Sequence, residues 1–224
     1  MARSGVKVLA IDGDRQSNTT VTMLGERKTP SLSDVIMRKA TLHEAMREAR
    51  PNFWVVPSDT DLDHSIGFLK EHYWAYDVVR KALEQLTDID MILIDQAGAF
   101  TAVMQALLLA SKEILIPCEL EPYSVQGLFD MFAKLEQELP DHTLENAGII
   151  PYAVDLRPKM THIYLAQLRE AFGDLVTDPI RTDKSVANAQ SVQKTVFEYD
   201  PHSGVIKDFT LLAERLLAEP VEAS

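Results

Sequence analysis

The segment from Val6 to Asn18, reading Val-Lys-Val-Leu-Ala-Ile-Asp-Gly-Asp-Arg-Gln-Ser-Asn, constrains the chain more than any other. A short apolar run with β-branched content ends in two aspartates and turns through Gly13 into small polar residues. Such a run reads as a strand buried on both faces, as in a parallel sheet. Open parallel sheets place ligand chemistry just beyond the carboxyl ends of their strands. Asp12 and Asp14 fall at such an end, where two carboxylates could hold a hydrated magnesium ion or orient a water. Read in isolation, the same residues are more commonly a strand-to-helix turn.

The device recurs. Asp88-Ile89-Asp90 leads into Met91-Ile92-Leu93-Ile94-Asp95, a second apolar strand with an aspartate at its carboxyl end. A long apolar helix over 99–110 and a strand over 113–117 complete a βαβ unit. Between the two aspartate-ended strands, Ser31 caps a short helix over 32–39. Thr41-Leu42-His43-Glu44 has the capping-box spacing for a helix reaching about Arg50, with His43 on its solvent side. Phe53 to Pro57 reads as a strand and Ser58 to Asp63 as a polar loop, whose aspartates and His64 are caps and turn residues rather than metal ligands. The stretch 73–86 has the apolar spacing of an amphipathic helix. Further on, helices are expected over 123–138, 160–172 and 203–218, strands over 147–152 and 175–180, and a polar loop with a short helix over 181–193. Strands alternating with helices imply a parallel sheet covered on both faces.

At 224 residues the chain suits one α/β domain spanning 1–224. The balance of 22 Lys+Arg against 34 Asp+Glu gives a formal charge of −12, which argues against a protein coated in nucleic acid, though a local basic patch is compatible with it. A single cysteine, Cys118, excludes a disulfide framework or a multi-cysteine metal site within one chain. With no membrane-length apolar run and no signal-peptide pattern, a soluble cytoplasmic protein is expected.

Three segments together resemble one family. Leu9 to Asn18 is similar to the Asp-x-Asp-Pro-Gln-x-Asn motif that follows the phosphate loop in ParA/Soj partition ATPases. Met91 to Asp95, followed by Ile116-Pro117 and Glu121-Pro122-Tyr123-Ser124-Val125-Gln126-Gly127-Leu128, resembles that family's Walker B strand and its sequel. Phe197-Glu198-Tyr199-Asp200-Pro201-His202-Ser203 resembles its C-terminal Tyr-Asp-Pro-x-Ser element. Order and spacing match over nearly the whole chain. The resemblance implies a single-domain, three-layer α/β/α fold with a mostly parallel sheet, P-loop NTPase-like. It also implies an ATP- and magnesium-dependent homodimer that binds DNA nonspecifically and positions plasmids, chromosomes or other cargo with a ParB-like partner.

Carried over residue by residue, the resemblance makes Asp14 the residue that orients the attacking water and Asp95 the Walker B carboxylate. Asp12 lies beside the magnesium. Asn18, Arg181 and Asp183 fall where the family contacts its nucleotide. Arg157, Lys159, Arg169 and Lys184 are the candidates for DNA contact. Hydrolysis in such a site needs one positioned water and charge neutralisation rather than a strong base.

The departures are as informative. No G-x-x-x-x-G-K-[ST] occurs in the 224 residues, and the chain begins where the family's phosphate-loop helix ends. Without that loop there is no row of backbone N–H groups for phosphates and no lysine on the β/γ oxygens. The strand expected to carry it is central in the family's sheet, so unpaired edges are expected. Arg15 stands for the family's proline, and Ala97-Gly98 for a Pro-Pro pair. Three readings stay open: a shortened chain or misplaced start codon, a non-hydrolysing paralogue or interaction module, and a chain completed by another subunit. The acidic C-terminus is unlike the basic amphipathic anchor of membrane-bound MinD-type relatives, and one cysteine cannot supply the pair that iron–sulfur carrier relatives need.

Overall fold

A computed structural model of the chain describes residues 1–218. These fall into two compact units, dividing after Lys112.

In the first unit the strand expected around Val6–Asp12 is β1, Val8–Gly13, and every residue in it is buried. It lies inside a four-stranded sheet of order β2-β3-β1-β4, where β2 is Arg47–Arg50, β3 is Phe53–Val56 and β4 is Met91–Gln96. β1 pairs in parallel with both β3 and β4, while β2 runs antiparallel to β3 at one edge. Six helices accompany the sheet: α1 (Asn18–Leu24), α2 (Leu32–Ile36), α3 (Leu42–Ala45), α4 (Leu62–Glu71), α5 (Val78–Leu83) and α6 (Ala102–Leu109). The core joins Leu9 and Ile11 of β1 to Leu32 and Ile36 of α2, Leu69 of α4, Val79 of α5 and Leu107 of α6.

Two local expectations need correction here. The helix expected to run from Thr41 to Arg50 stops at Ala45, and residues 47–50 turn extended to pair with β3. The capping box forms as the spacing requires, with the Glu44 N–H donating to Thr41 Oγ1 at 3.2 Å and the Thr41 N–H to Glu44 Oε2 at 2.8 Å. Cross-strand pairing then overrides the helical spacing of Met46 and Ala49. Arg47 fixes the new course by donating to the Thr29 carbonyl at 3.0 Å, and Arg50 by donating to that of Met23 at 3.1 Å. The amphipathic stretch 73–86 is likewise divided, a 3₁₀ turn at Tyr73–Asp77 preceding α5.

The second unit carries β5 (Glu113–Cys118) and β6 (Glu145–Pro151), paired in parallel. With them are α7 (Ser124–Glu138), α8 (Lys159–Phe172), α9 (Lys184–Ser191), α10 (Val196–Tyr199) and α11 (Val205–Leu217). Ile149 and Leu168 are fully buried in one cluster, Val205 in another beside Ile180 and Val196. The strand expected over 175–180 is reduced to single bridges, Val176 to Ile149 and, just beyond it, Arg181 to Val154. Pro179 has no N–H to give a ladder. No helix among the described residues is long and apolar enough to cross a membrane.

Candidate functional site

Parallel register brings the two aspartate-ended strands level. Asp12 stands opposite Asp95, and Gly13 opposite Gln96. The approach is close enough to demand glycine: a Cβ on Gly13 would lie 2.5 Å from Leu107 Cδ1 and 2.8 Å from the Asp95 carbonyl oxygen. Beyond Gly13 the chain turns. Asp14 Oδ1 accepts the Gln16 N–H at 2.9 Å, and Ser17 enters the left-handed region at φ 58° before α1 begins at Asn18. Arg27 clamps this turn from outside, its Nε donating to Ser17 Oγ at 3.1 Å and its Nη2 reaching the Gln16 carbonyl at 3.4 Å.

The two carboxylates differ in setting. Asp12 is fully buried and accepts three hydrogen bonds: from Thr20 N–H at 2.8 Å, Thr20 Oγ1 at 2.6 Å and Asp14 N–H at 3.1 Å. Burial raises its pKa, the hydrogen bonds from Thr20 and Asp14 work against that rise, and the charge of Asp95 adds to it. Asp95 is exposed and accepts the Thr19 hydroxyl at 2.6 Å. Successive threonines at the start of α1 therefore serve successive strand ends. A backbone donor completes the set, the Ser58 N–H meeting Thr20 Oγ1 at 2.9 Å. Ser58 Oγ and Gln96 Oε1 are buried without a hydrogen-bond partner. Thr19, Thr20, Arg27 and Ser58 are absent from the sequence-based set. The adjacent hydroxyls of Thr19 and Thr20 were the one visible signal.

Of the sequence-predicted residues, Asp12, Asp14, Asn18 and Asp95 lie together in the first unit, Asp14 half-buried and Asn18 exposed. The others belong to the second. Arg181 is held by Asp208, with Nε to Oδ2 at 2.7 Å and Nη2 to Oδ1 at 2.8 Å, and Asp208 is buried. Those hydrogen bonds depress the Asp208 pKa against the opposing effect of burial. Asp183 caps α9 through the Ser185 N–H at 2.8 Å and accepts the Ser203 hydroxyl at 2.6 Å, which lowers its own pKa. Arg157 chelates Asp155, whose carboxyl falls to about 2 through those hydrogen bonds. Arg169 lies 3.7 Å from Asp178, both exposed. Lys159 and Lys184 are exposed at the first positions of α8 and α9.

The donors in the first unit are oxygens, the type a hard divalent cation takes. They are few: among the described residues no cluster of three or more His, Cys, Asp or Glu side chains is placed to hold a metal. A triphosphate needs a cradle of backbone N–H groups and a cationic anchor, and the sequence holds no lysine-bearing Gly-rich loop. The residues present do not by themselves fit a nucleotide.

A family model described as an AAA domain matches residues 1–146. The chromosome-partitioning ATPase Soj of Thermus thermophilus is 27% identical over 226 positions, covering 100% of this chain and 88% of its own length. Soj of Treponema pallidum is 25% identical, covering 97% and 88%. Among solved structures, an ATP complex of a substituted Cyanothece McdA matches with a TM-score of 0.80 at 25% identity, over 94% of this chain and 85% of that one. The septum site-determining protein MinD of Pyrococcus horikoshii, complexed with Mg-ADP, matches in fold with a TM-score of 0.77 at 21% identity, over 97% and 86%. The three-layer α/β/α fold with a mostly parallel sheet, P-loop NTPase-like, is thus the fold of this chain. Most of the chain lies under the matching model and nearly all of it aligns with Soj: the chain belongs to the AAA domain family, among its ParA/Soj-type members.

Proposed function

We propose that this chain is a ParA/Soj-like protein for plasmid or chromosome partition, or for positioning other cargo. It acts with a ParB-like partner, as a homodimer, in the cytoplasm or on the nucleoid. In the family's terms Asp14 corresponds to the water-orienting residue, Asp12 and Asp95 to the magnesium residues, and Asn18, Arg181 and Asp183 to nucleotide-contacting positions, residue types this chain keeps without a phosphate loop in its sequence. Arg157, Lys159, Arg169 and Lys184 supply nonspecific DNA contact. Two relatives named as chromosome-partitioning ATPases, aligned over nearly the full chain, support the reading.

The 224-residue chain itself neither binds ATP tightly nor hydrolyses it. The observation that carries this is the half-built site: level carboxylates with threonine hydroxyls on them, and no phosphate loop in the sequence. A radioactive phosphate-release assay is expected to show no magnesium-dependent turnover. Clear turnover that Asp14→Ala abolishes would overturn it.

A second reading is favoured by β4. Its apolar residues Met91 to Ile94 are only half-buried at the sheet edge, whereas β1 beside it is wholly buried. An apolar parallel strand left at an edge supports an interaction module whose sheet is completed by another polypeptide, a full-length ParA-type subunit among them.

A further inference from the structure

A groove of about 650 Å³ runs between the α2–α3 segment and α5, away from the aspartate pair. Leu42 and Val78, both buried, and half-buried Leu86 form its apolar floor. Its rim carries exposed Arg38, Lys39 and Lys81. In a chain of net charge −12 this is a local reversal of sign. One carboxylate on the rim, Glu44, opposes these cations and stays charged, its Oε2 accepting both the N–H and the hydroxyl of Thr41 at 2.8 Å, so the three cations outnumber it rather than stand alone. Lys81 shares Asp77 at 3.4 Å across solvent, a contact of small worth.

Arg38 also links the groove to an aromatic shelf. Its guanidinium lies 4.2 Å from the centroid of the Trp74 ring, which in turn meets Phe68 edge-on at 5.8 Å. Trp74 is 47% exposed and its neighbour Tyr73 is 90% exposed. Trp, Tyr and Arg are the side chains that dominate binding energy at protein interfaces, and an exposed cluster of them beside an apolar floor marks such a surface. Duplex DNA would use the cations but not the floor, because its outer face is a charged backbone.

We infer that this groove docks an acidic amphipathic segment of a partner protein, apolar ridge on Leu42, Val78 and Leu86, carboxylates on Arg38, Lys39 and Lys81. Cationic rims steer anionic partners and fix their register, while the floor and the aromatic shelf hold them. The inference concerns the partner of the positioning reading but does not rest on the nucleotide site, and its test reads the groove whatever the phosphate-release assay returns.

The probe is a fluorescent, capped, helix-forming peptide of about 15 residues, with leucines at i, i+4 and i+7 and glutamates beside them. Titrated with the full chain, its anisotropy is expected to rise saturably, and the affinity to fall with added salt. Lys39→Glu combined with Lys81→Glu should weaken binding at least about tenfold, with an unchanged thermal melt, since both side chains are exposed. Trp74→Ala should weaken it independently. The inference is overturned if the peptide does not bind, if the double variant binds it undiminished, or if a lysine-for-glutamate analogue binds equally. It is overturned equally if short duplex DNA, and not the peptide, binds and is lost in the double variant.

Discussion

Asp12 shows how one residue's chemistry is set by its neighbours. A fully buried carboxylate is costly unless it is hydrogen-bonded, and Thr20 supplies two of its three donors. Because burial raises its pKa, the folded state binds this proton more tightly than the unfolded chain does. The stability it costs is therefore absent below the ordinary carboxylate range and is incurred as pH climbs through the raised value. Thr20→Val keeps the shape, removes the hydroxyl from Asp12 and strands the Ser58 N–H. It should destabilise the chain by about 1–3 kcal/mol, and by more at pH 7 than in acid, where the raised pKa favours the protonated form of Asp12. Urea melts at pH 7 and in acid check this, and equal losses would remove Asp12 from the explanation. At this scale the aspartates were legible as the ends of two strands, because a charge closing an apolar run marks where the strand leaves the core, although an isolated Asp-Gly-Asp reads more commonly as a turn. Thr19 and Thr20 read only as the opening of a helix, and Ser58 acts through its backbone, which no side-chain pattern announces.

At the scale of elements, legibility follows how local each element's causes are. β1, β3 and β4 were legible because an apolar run is sufficient cause for a buried parallel strand. The 41–50 segment was misread because its apolar spacing suits a helix while its pairing to β3 comes from elsewhere in the chain. α4 went unread because it opens among the aspartates and serines of a loop and carries Gly67 mid-helix. The stretch around Arg181 has isolated bridges in place of a long ladder, its backbone bonding Val154 from both sides, and is held besides by a side chain of α11. The Arg181 backbone N–H also donates to Asp208 Oδ2, at 3.1 Å, so one carboxylate holds both the main chain and the guanidinium. Asp208's pKa is depressed, so the stability it gives is present above the ordinary carboxylate range and is lost as pH falls through its lowered value. Asp208→Asn should lower the thermal midpoint at neutral pH, by about 2–4 °C for each kcal/mol lost, and the gap from the parent should close toward acid. A gap independent of pH would mean packing rather than the ion pair holds α11 there.

For the whole molecule, family and fold were legible from three weak motifs in the right order, whereas the activity turns on what each unit lacks or exposes. A parallel sheet whose wholly buried strand has an apolar edge neighbour is asymmetric: β2 at the opposite edge is a short strand of charged residues, the usual protection, and β4 has none before Asp95. An apolar strand at the edge of the first unit's sheet is a template for pairing, so a partner strand is expected there. Mixed with a full-length ParA-type relative carrying its own phosphate loop, the chain should co-sediment as a heteromeric species. Addition of ATP should leave that species in place, because the contact is made by the β4 edge and not by a shared nucleotide. Leu93→Lys, placed on this half-buried edge strand, should weaken the association at low-micromolar concentration while leaving the circular dichroism spectrum intact. If the two proteins sediment separately, the interaction-module reading fails and a non-hydrolysing positioning protein acting alone is left. If they co-sediment only with ATP, the contact belongs to the nucleotide-bound dimer of the relative and not to β4.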